Sequence, residues 1–442
     1  MIKLKNLLYF ITIPLTTSII SGIKDSLPKF DSFNLVLDAN WRWLHVQNGY
    51  KNCYDGSWIC ENDCDNCVLE GISLEQYKTV YGISELNNQI ELQFITNNNI
   101  GSRLYVLKND KYWFPDLLNK QISIDMDISE VPCSLNAAVY LVQVNSTEFD
   151  TLGIGYGDAQ CPTDIKYFYN GKTNINKEPI CSVEIDLIEA NSEAIAWTLH
   201  PCNGNNCDKS GADANSYRQG YHNFYGPNKI IDTTKPITII TQFIGDPLTE
   251  VKRFYKQNNK YFEHPGGSLT SASIKKWKSL QNEPNTFEEC GGFNSLTQAI
   301  KKGMAVIISL WDDQATNMKW LDSGDRGPCT ANTNVRQTNP TAKVKFSNLI
   351  LENIKHIIPT NTNTDTNTDT NTNTNTNTNT STDTNTDTSI NEFCCFASSD
   401  INKPCSTCYS SAKADSTTWC GKSSEICKTC GSTAVWCKDS SN

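Results

Sequence analysis

The residues best spaced for chemistry are three carboxylates on one apolar stretch, Cys181-Ser182-Val183-Glu184-Ile185-Asp186-Leu187-Ile188-Glu189-Ala190-Asn191, in the pattern E-x-D-x-x-E. A strand alternates its side chains, so Glu184 and Asp186 share one face while Val183, Ile185 and Leu187 take the other. Glu189 is out of phase and reaches the first face only if a bulge or turn intervenes. With that bulge, Glu184 and Glu189 address one site, and a pair of carboxylates is what cleavage of a glycosidic bond uses: one to attack or activate, one to donate a proton. Asp186, two residues from Glu184, is expected to hydrogen-bond to it and keep it ionised and aimed. Crowding of like charges raises one carboxyl pKa, as a general acid needs. On its own the pattern more often marks an antiparallel strand with a solvated acidic face.

The elements that must carry this stretch read as strands. Gln89–Ile95, Ser123–Ile128, Ile237–Phe243 and Met304–Leu310 are short apolar or alternating runs set among Asn, Gly, Asp and Pro, which suits two packed antiparallel sheets. The carboxylate segment with Thr198-Leu199-His200-Pro201-Cys202 resembles the catalytic signature of the family-seven glycoside hydrolases, the fungal-type retaining cellulases. The likeness extends through Leu37-Asp38-Ala39-Asn40-Trp41-Arg42-Trp43, Asn52-Cys53-Tyr54-Asp55-Gly56 and Gly155-Tyr156-Gly157-Asp158-Ala159-Gln160-Cys161-Pro162. It continues in Phe224-Tyr225-Gly226-Pro227, Ser309-Leu310-Trp311-Asp312-Asp313 and Trp320-Leu321-Asp322-Ser323.

The resemblance implies an all-β, concanavalin A-like jelly-roll sandwich over residues 23–358, with a substrate groove for cellulose or another β-glucan. It implies Glu184 as nucleophile, Glu189 as acid/base and Asp186 as the residue orienting the nucleophile, with the two glutamate carboxyls about 5–5.5 Å apart. Trp311 and Trp320 match sugar platforms on either side of the scissile bond. Trp41 and Trp43, which a strand would place on one face, match the distal glycone end. Arg103, Asn136, Tyr140, Asp158, Gln160, His200, Arg218, Arg253 and Arg326 match polar groove positions. The implied disulfides are Cys53–Cys67, Cys60–Cys64, Cys133–Cys329, Cys161–Cys181 and Cys207–Cys290, which leaves Cys202 without its family partner. The segments Cys202–Tyr217 and Trp320–Cys329 are short, nearer to open-cleft endoglucanases than to tunnel-forming cellobiohydrolases. A cellobiohydrolase, or a weakly active or inactive glycan-binding protein on the same sandwich, stays as the alternative; the intact carboxylate triplet favours the enzyme.

Residues 1–22 read as a signal peptide, with Lys3 and Lys5 ahead of a short apolar run interrupted by Pro14. Secretion fits the 19 cysteines, which can then be oxidised. A formal charge of −10 without a basic patch argues against nucleic acid and suits a neutral polymer. No cofactor, no metal and no membrane partner after signal cleavage are expected, and the protein is read as a monomer. Asn145-Ser146-Thr147 is an N-glycosylation sequon. Residues 359–390 form a Thr/Asn/Asp linker, since nothing in them offsets the entropy of ordering. Residues 391–442 hold eight cysteines and little aliphatic core. Cys405-x-x-Cys408 and Cys427-x-x-Cys430 have zinc spacing, but an export route and an even count favour disulfides. Tyr409, Trp419 and Trp436 would let this module stack on carbohydrate, with a docking module for an enzyme complex or the wall as the second reading.

Overall fold

The computed structural model describes residues 27–60, 64–144, 152–166, 168–169, 172–330 and 332–360, and three short strands near the C-terminus. The signal peptide, the Asn145 sequon, the linker from residue 361 on, Tyr409 and Trp419 lie outside the described residues. The chain divides into two compact units, Met1–Asn363 and Thr364–Asn442. In the second, Glu392–Cys395 is the central strand between Lys413–Ala414 and Val435–Lys438, both antiparallel to it, and position 436 pairs with position 394.

The first unit is the expected jelly-roll sandwich. A nine-stranded antiparallel sheet runs Lys29–Phe30, Phe33–Leu37, Ser102–Lys108, Met304–Trp311, Asn136–Gln143, Glu184–Ala190, Ile195–His200, Ala212–Asn215, with Lys111–Tyr112 paired onto Ser102–Lys108. The seven-stranded partner runs Lys260–Glu263, Glu250–Gln257, Ile237–Ile244, Lys120–Asp127, Lys343–Asn353, Gln89–Gln93, Ile83–Leu86. All four runs read as strands from the sequence are strands here. One apolar core fills the space between the sheets, with Tyr105, Val139, Ile185, Trp197, Phe243 and Phe346 among its buried members.

The two sheets bury their residues differently. Gln89–Gln93 alternates half-buried and buried positions, as a strand with one wet face does. Asn136–Gln143 is buried at every position but the last, and Glu184–Ala190 at every position but Glu189. Strands buried on both faces have the core on one side and something else covering the other. In the nine-stranded sheet that second face is the floor of a cleft.

Four of the five expected disulfides are formed: Cys53–Cys67, Cys60–Cys64, Cys133–Cys329 and Cys161–Cys181. The fifth differs. Cys207 is bonded to Cys202, not to Cys290, so Cys202 is not the leftover thiol, and Cys290 is buried and unpaired among the described residues. The reason is local: Cys202–Asn203 and Asn206–Cys207 form a tight hairpin that sets Cys202 directly opposite Cys207. A neighbour across a hairpin is a nearer partner than one more than eighty positions away. Peptide mapping without reduction should therefore recover Cys202 and Cys207 linked to each other, and Cys290 should react with a thiol reagent only after unfolding; a Cys207–Cys290 peptide would reverse this connectivity.

Candidate active site

The cleft is organised by one irregularity in the Glu184–Ala190 strand. Along its pairing with Ile195–His200, Asp186 faces Thr198 but Glu189 faces Ala196, so three steps on one strand match two on the other. Along its pairing with Asn136–Gln143, Asp186 faces Tyr140 and Ile188 faces Val139, with Leu187 passed over. This is the β-bulge that the out-of-phase Glu189 demanded. Leu187 and Ile188 both join the core, and Glu184, Asp186 and Glu189 all line one cleft of about 660 Å³.

Each carboxylate has its own support. Glu184 Oε2 accepts from the Ala159 N–H at 3.1 Å, and Glu189 Oε1 accepts from Asn136 Nδ2 at 3.0 Å. Asn136 is fully buried, and its Oδ1 accepts from the Ala190 N–H, so one amide clamps both the strand and the carboxylate on it. Asp186 does not hold Glu184 through a hydrogen bond, as the sequence suggested. Its Oδ2 is paired with His200 Nε2 at 3.0 Å, while His200 Nδ1 donates to the Asp208 carbonyl at 2.7 Å. Both ring nitrogens being occupied, His200 serves as a buried cation beside the carboxylates and has no free donor for a sugar.

The electrostatics follow from this packing. Burial opposes the imidazolium, yet the hydrogen bond and charge of Asp186, the charge of Glu184 and the Asp208 carbonyl outweigh it and raise His200 to about 10. Burial first, then Asp186, pushes Glu189 up to about 8, against the pull of His200 and of the Asn136 amide. Burial and the charges of Asp186 and Asp158 push Glu184 up as well, while His200 and the Ala159 N–H oppose. Two glutamates raised together around a single cation hold one proton between them more readily than none.

The walls combine expected and unexpected residues. Trp41, Arg103, Tyr140, Asp158, Gln160, Trp311, Trp320 and Arg326 line the cleft as expected. Arg103 stacks on Tyr156, its guanidinium carbon 3.2 Å from the ring centre, and pairs with Asp38 at 3.3 Å. Tyr156 passes its hydroxyl to Asp158 at 2.8 Å, so these groups form one rigid wall. Trp311 and Trp320 are neighbours, ring centres 6.1 Å apart and tilted by 32°, resting on buried Met318 and Leu321. They form one aromatic pair in the lining.

Four expected groove residues stand elsewhere. Trp41 and Trp43 do not share a strand face, because Ala39–Trp41 is a turn of 3-10 helix capped by Asp38, and Trp43 stacks on His45 outside the cleft lining. Asn136 lies behind Glu189. Arg218 is buried behind the wall in ion pairs with Asp213, Glu283 and Asp325. Arg253 belongs to the other sheet and lies in the interior, 1% exposed. Conversely, Lys209, Ser210, Asp213 and Asp313 line the cleft without having been singled out. Asp213 sits on a four-residue strand of alternating small residues, Ala212–Asn215, and gathers Arg218, Lys278 and Arg326 from three separate segments. Only a search for small residues around a lone acid could have marked it.

The sequence profile of glycosyl hydrolase family 7 matches residues 27–358. Among solved structures, a family 7 cellobiohydrolase from Daphnia pulex is 33% identical, with a TM-score of 0.66, over 73% of this chain and 93% of its own. A cellobiohydrolase from Melanocarpus albomyces complexed with cellotetraose is 31% identical (TM-score 0.66, 73% and 92%). The Humicola insolens endocellulase EGI is 29% identical (TM-score 0.64, 72% and 91%). The similar structures thus include both exo- and endo-acting cellulases.

If Glu189 is the proton donor, it can act only below its pKa, and kcat/KM should then fall as pH rises through about 8. The sign for stability is the same: the folded protein keeps a proton that an unfolded glutamate releases near 4.5, so folding weakens as pH rises from there to about 8. Glu189→Gln, which cannot ionise, should raise the melting temperature at pH 9 relative to wild type; a lower melting temperature there would contradict the raised carboxyl.

Proposed function

The chain belongs to glycosyl hydrolase family 7, a glycoside hydrolase acting on cellulose or related β-glucan, and from that premise we propose that it is a secreted, retaining endo-β-1,4-glucanase. The observation that carries this reading is the bulge that turns Glu184, Asp186 and Glu189 into one cleft. Glu184 attacks the anomeric carbon, the bond to the leaving sugar oxygen breaks, and that oxygen takes the proton from Glu189. Glu189, now a carboxylate, takes a proton from water. The water oxygen attacks the anomeric carbon and releases Glu184.

Charge conservation supports the assignment. One negative charge passes from Glu184 to Glu189 and back while the Asp186–His200 pair stays in place. Donor atoms of Glu184, Asp186 and His200 lie within 4.8 Å of one another, which puts the cation beside the proposed nucleophile. Arg103, Asp158, Gln160 and Arg326 supply hydrogen-bonding edges, and Trp41, Trp311 and Trp320 supply faces on which sugar rings stack.

Internal cutting is supported by how two short segments are tied down. Cys202–Tyr217 is consumed by the disulfide hairpin and the Ala212–Asn215 strand. Trp320–Cys329 folds back on itself, with the Cys329 N–H donating to the Asp322 carbonyl at 2.9 Å. Neither has chain to spare for an arch over a polymer. Hydrolysis of a soluble substituted cellulose should therefore drop viscosity before much reducing sugar appears, and the first-formed product should be the β-anomer by NMR. An α-anomer would remove the double displacement, and release of almost only cellobiose with slow viscosity loss would assign the chain to the exo-acting members.

The C-terminal unit is proposed as a carbohydrate-binding module using Tyr409, Trp419 and Trp436. Deleting residues 390–442 should lower retention on insoluble cellulose and leave cleavage of soluble oligosaccharides nearly unchanged. Unaltered retention would favour docking to another protein.

A further inference from the structure

Arg253 is a buried charge that the chemistry above leaves unused. It stands on the Glu250–Gln257 strand of the seven-stranded sheet, opposite Thr241, and points into the interior of the sandwich. Its guanidinium carbon lies 5.0 Å from the ring centre of Trp197 and 6.0 Å from that of Tyr255. Burial lowers its pKa from 12.5 to about 10, which still leaves a cation at neutral pH. Nη2 donates to the carbonyl of Leu187 and the Tyr255 hydroxyl is a weaker partner, while Nε and Nη1 make no well-formed hydrogen bond among the described residues. A guanidinium served this sparsely costs free energy, and an apolar chain of similar length would fill the space without that cost.

Leu187 is the residue that the bulge leaves over. Among the register pairs of its strand it has a partner neither in Asn136–Gln143 nor in Ile195–His200. Trp197, the residue facing the bulged pair, is the one whose ring flanks the guanidinium. We infer that Arg253 is a positioning residue: by donating to the Leu187 carbonyl from behind the catalytic sheet, it holds the bulge that keeps Glu189 on the same face as Glu184. Without the donor, the Leu187 carbonyl is an orphan in an apolar interior. The strand then relieves it by drawing the bulge toward regular register. A full one-residue slip would turn side chains to the opposite face, and a partial one already moves the Glu189 carboxyl by about an ångström.

The inference rests on the proposed roles of Glu184 and Glu189, and its test separates the two. Arg253→Met should lower kcat on a soluble substituted cellulose about a hundredfold with KM nearly unchanged, since a carboxylate misplaced by an ångström costs that much. Its melting temperature should not fall, because exchanging a buried charge for a matched apolar chain is often neutral or stabilising. Arg253→Lys, which keeps a donor, should recover about tenfold of the loss. A crystal structure of Arg253→Met gives a readout free of activity: the bulge between Asp186 and Glu189 should be displaced or lost. If Arg253→Met does not fold, Arg253→Lys carries the same readouts, with kcat reduced at constant KM and the bulge altered. Wild-type kcat in a folded variant, a kcat lost only in proportion to folded protein, or an unchanged bulge would overturn the inference. An inactive wild type with a bulge lost in the variant would instead remove the functional reading and leave the positioning role standing.

Discussion

A single extra residue in one strand is the constraint on which the cleft depends. In regular register Glu184 and Asp186 would face the cleft and Glu189 the core, where an uncompensated carboxyl is costly. Leu187 and Ile188 instead both enter the core, the phase slips by one, and the third carboxyl emerges beside the first two. The apolar side chains thus gain burial from the same slip that assembles the acids.

The second organising fact is how little positive charge serves the acids. His200 is the imidazolium at the centre, and both of its nitrogens are committed to Asp186 and to the Asp208 backbone. Asp208 follows directly on the Cys202–Cys207 hairpin, so that disulfide and its turn fix the carbonyl that fixes the histidine. With Asp186 and Asp158 crowding them and His200 the cation beside them, the glutamate pair keeps a proton above the pH at which free carboxylates lose theirs. In the proposed double displacement a single proton and a single negative charge would pass between two fixed positions, with little need for the site to rearrange.

Away from the centre, rigidity comes from saturated polar groups. Asp213 and Glu283 together hold Arg218, Lys278 and Arg326, drawing a helix, a strand and the Trp320–Cys329 segment into one block under the wall. Exposed ion pairs contribute little, but Asp213, Arg218 and Lys278 are almost fully buried and bonded several times over. The opposite wall is built on Arg103 between two aromatic rings.

The sequence by itself determined the alternation of the strands, the need for a bulge before Glu189, and the motifs that mark the sandwich and its carboxylates. These are local: period, spacing and residue type within a few positions carry them. It also held enough to expect Cys53–Cys67, Cys60–Cys64, Cys133–Cys329 and Cys161–Cys181 through the family likeness. What it did not determine depends on segments meeting in space. Cys207 turns to Cys202 because a hairpin brings them face to face, and Arg218 is drawn behind the wall by acids contributed from other segments. Asp186 takes His200 as its partner because the two strands register Asp186 beside Thr198, two residues from the imidazole. The family likeness set Arg253 among the polar groove residues. Only the packing of one sheet on the other decides that it faces inward, against the carbonyl of the one residue the bulge leaves unpaired.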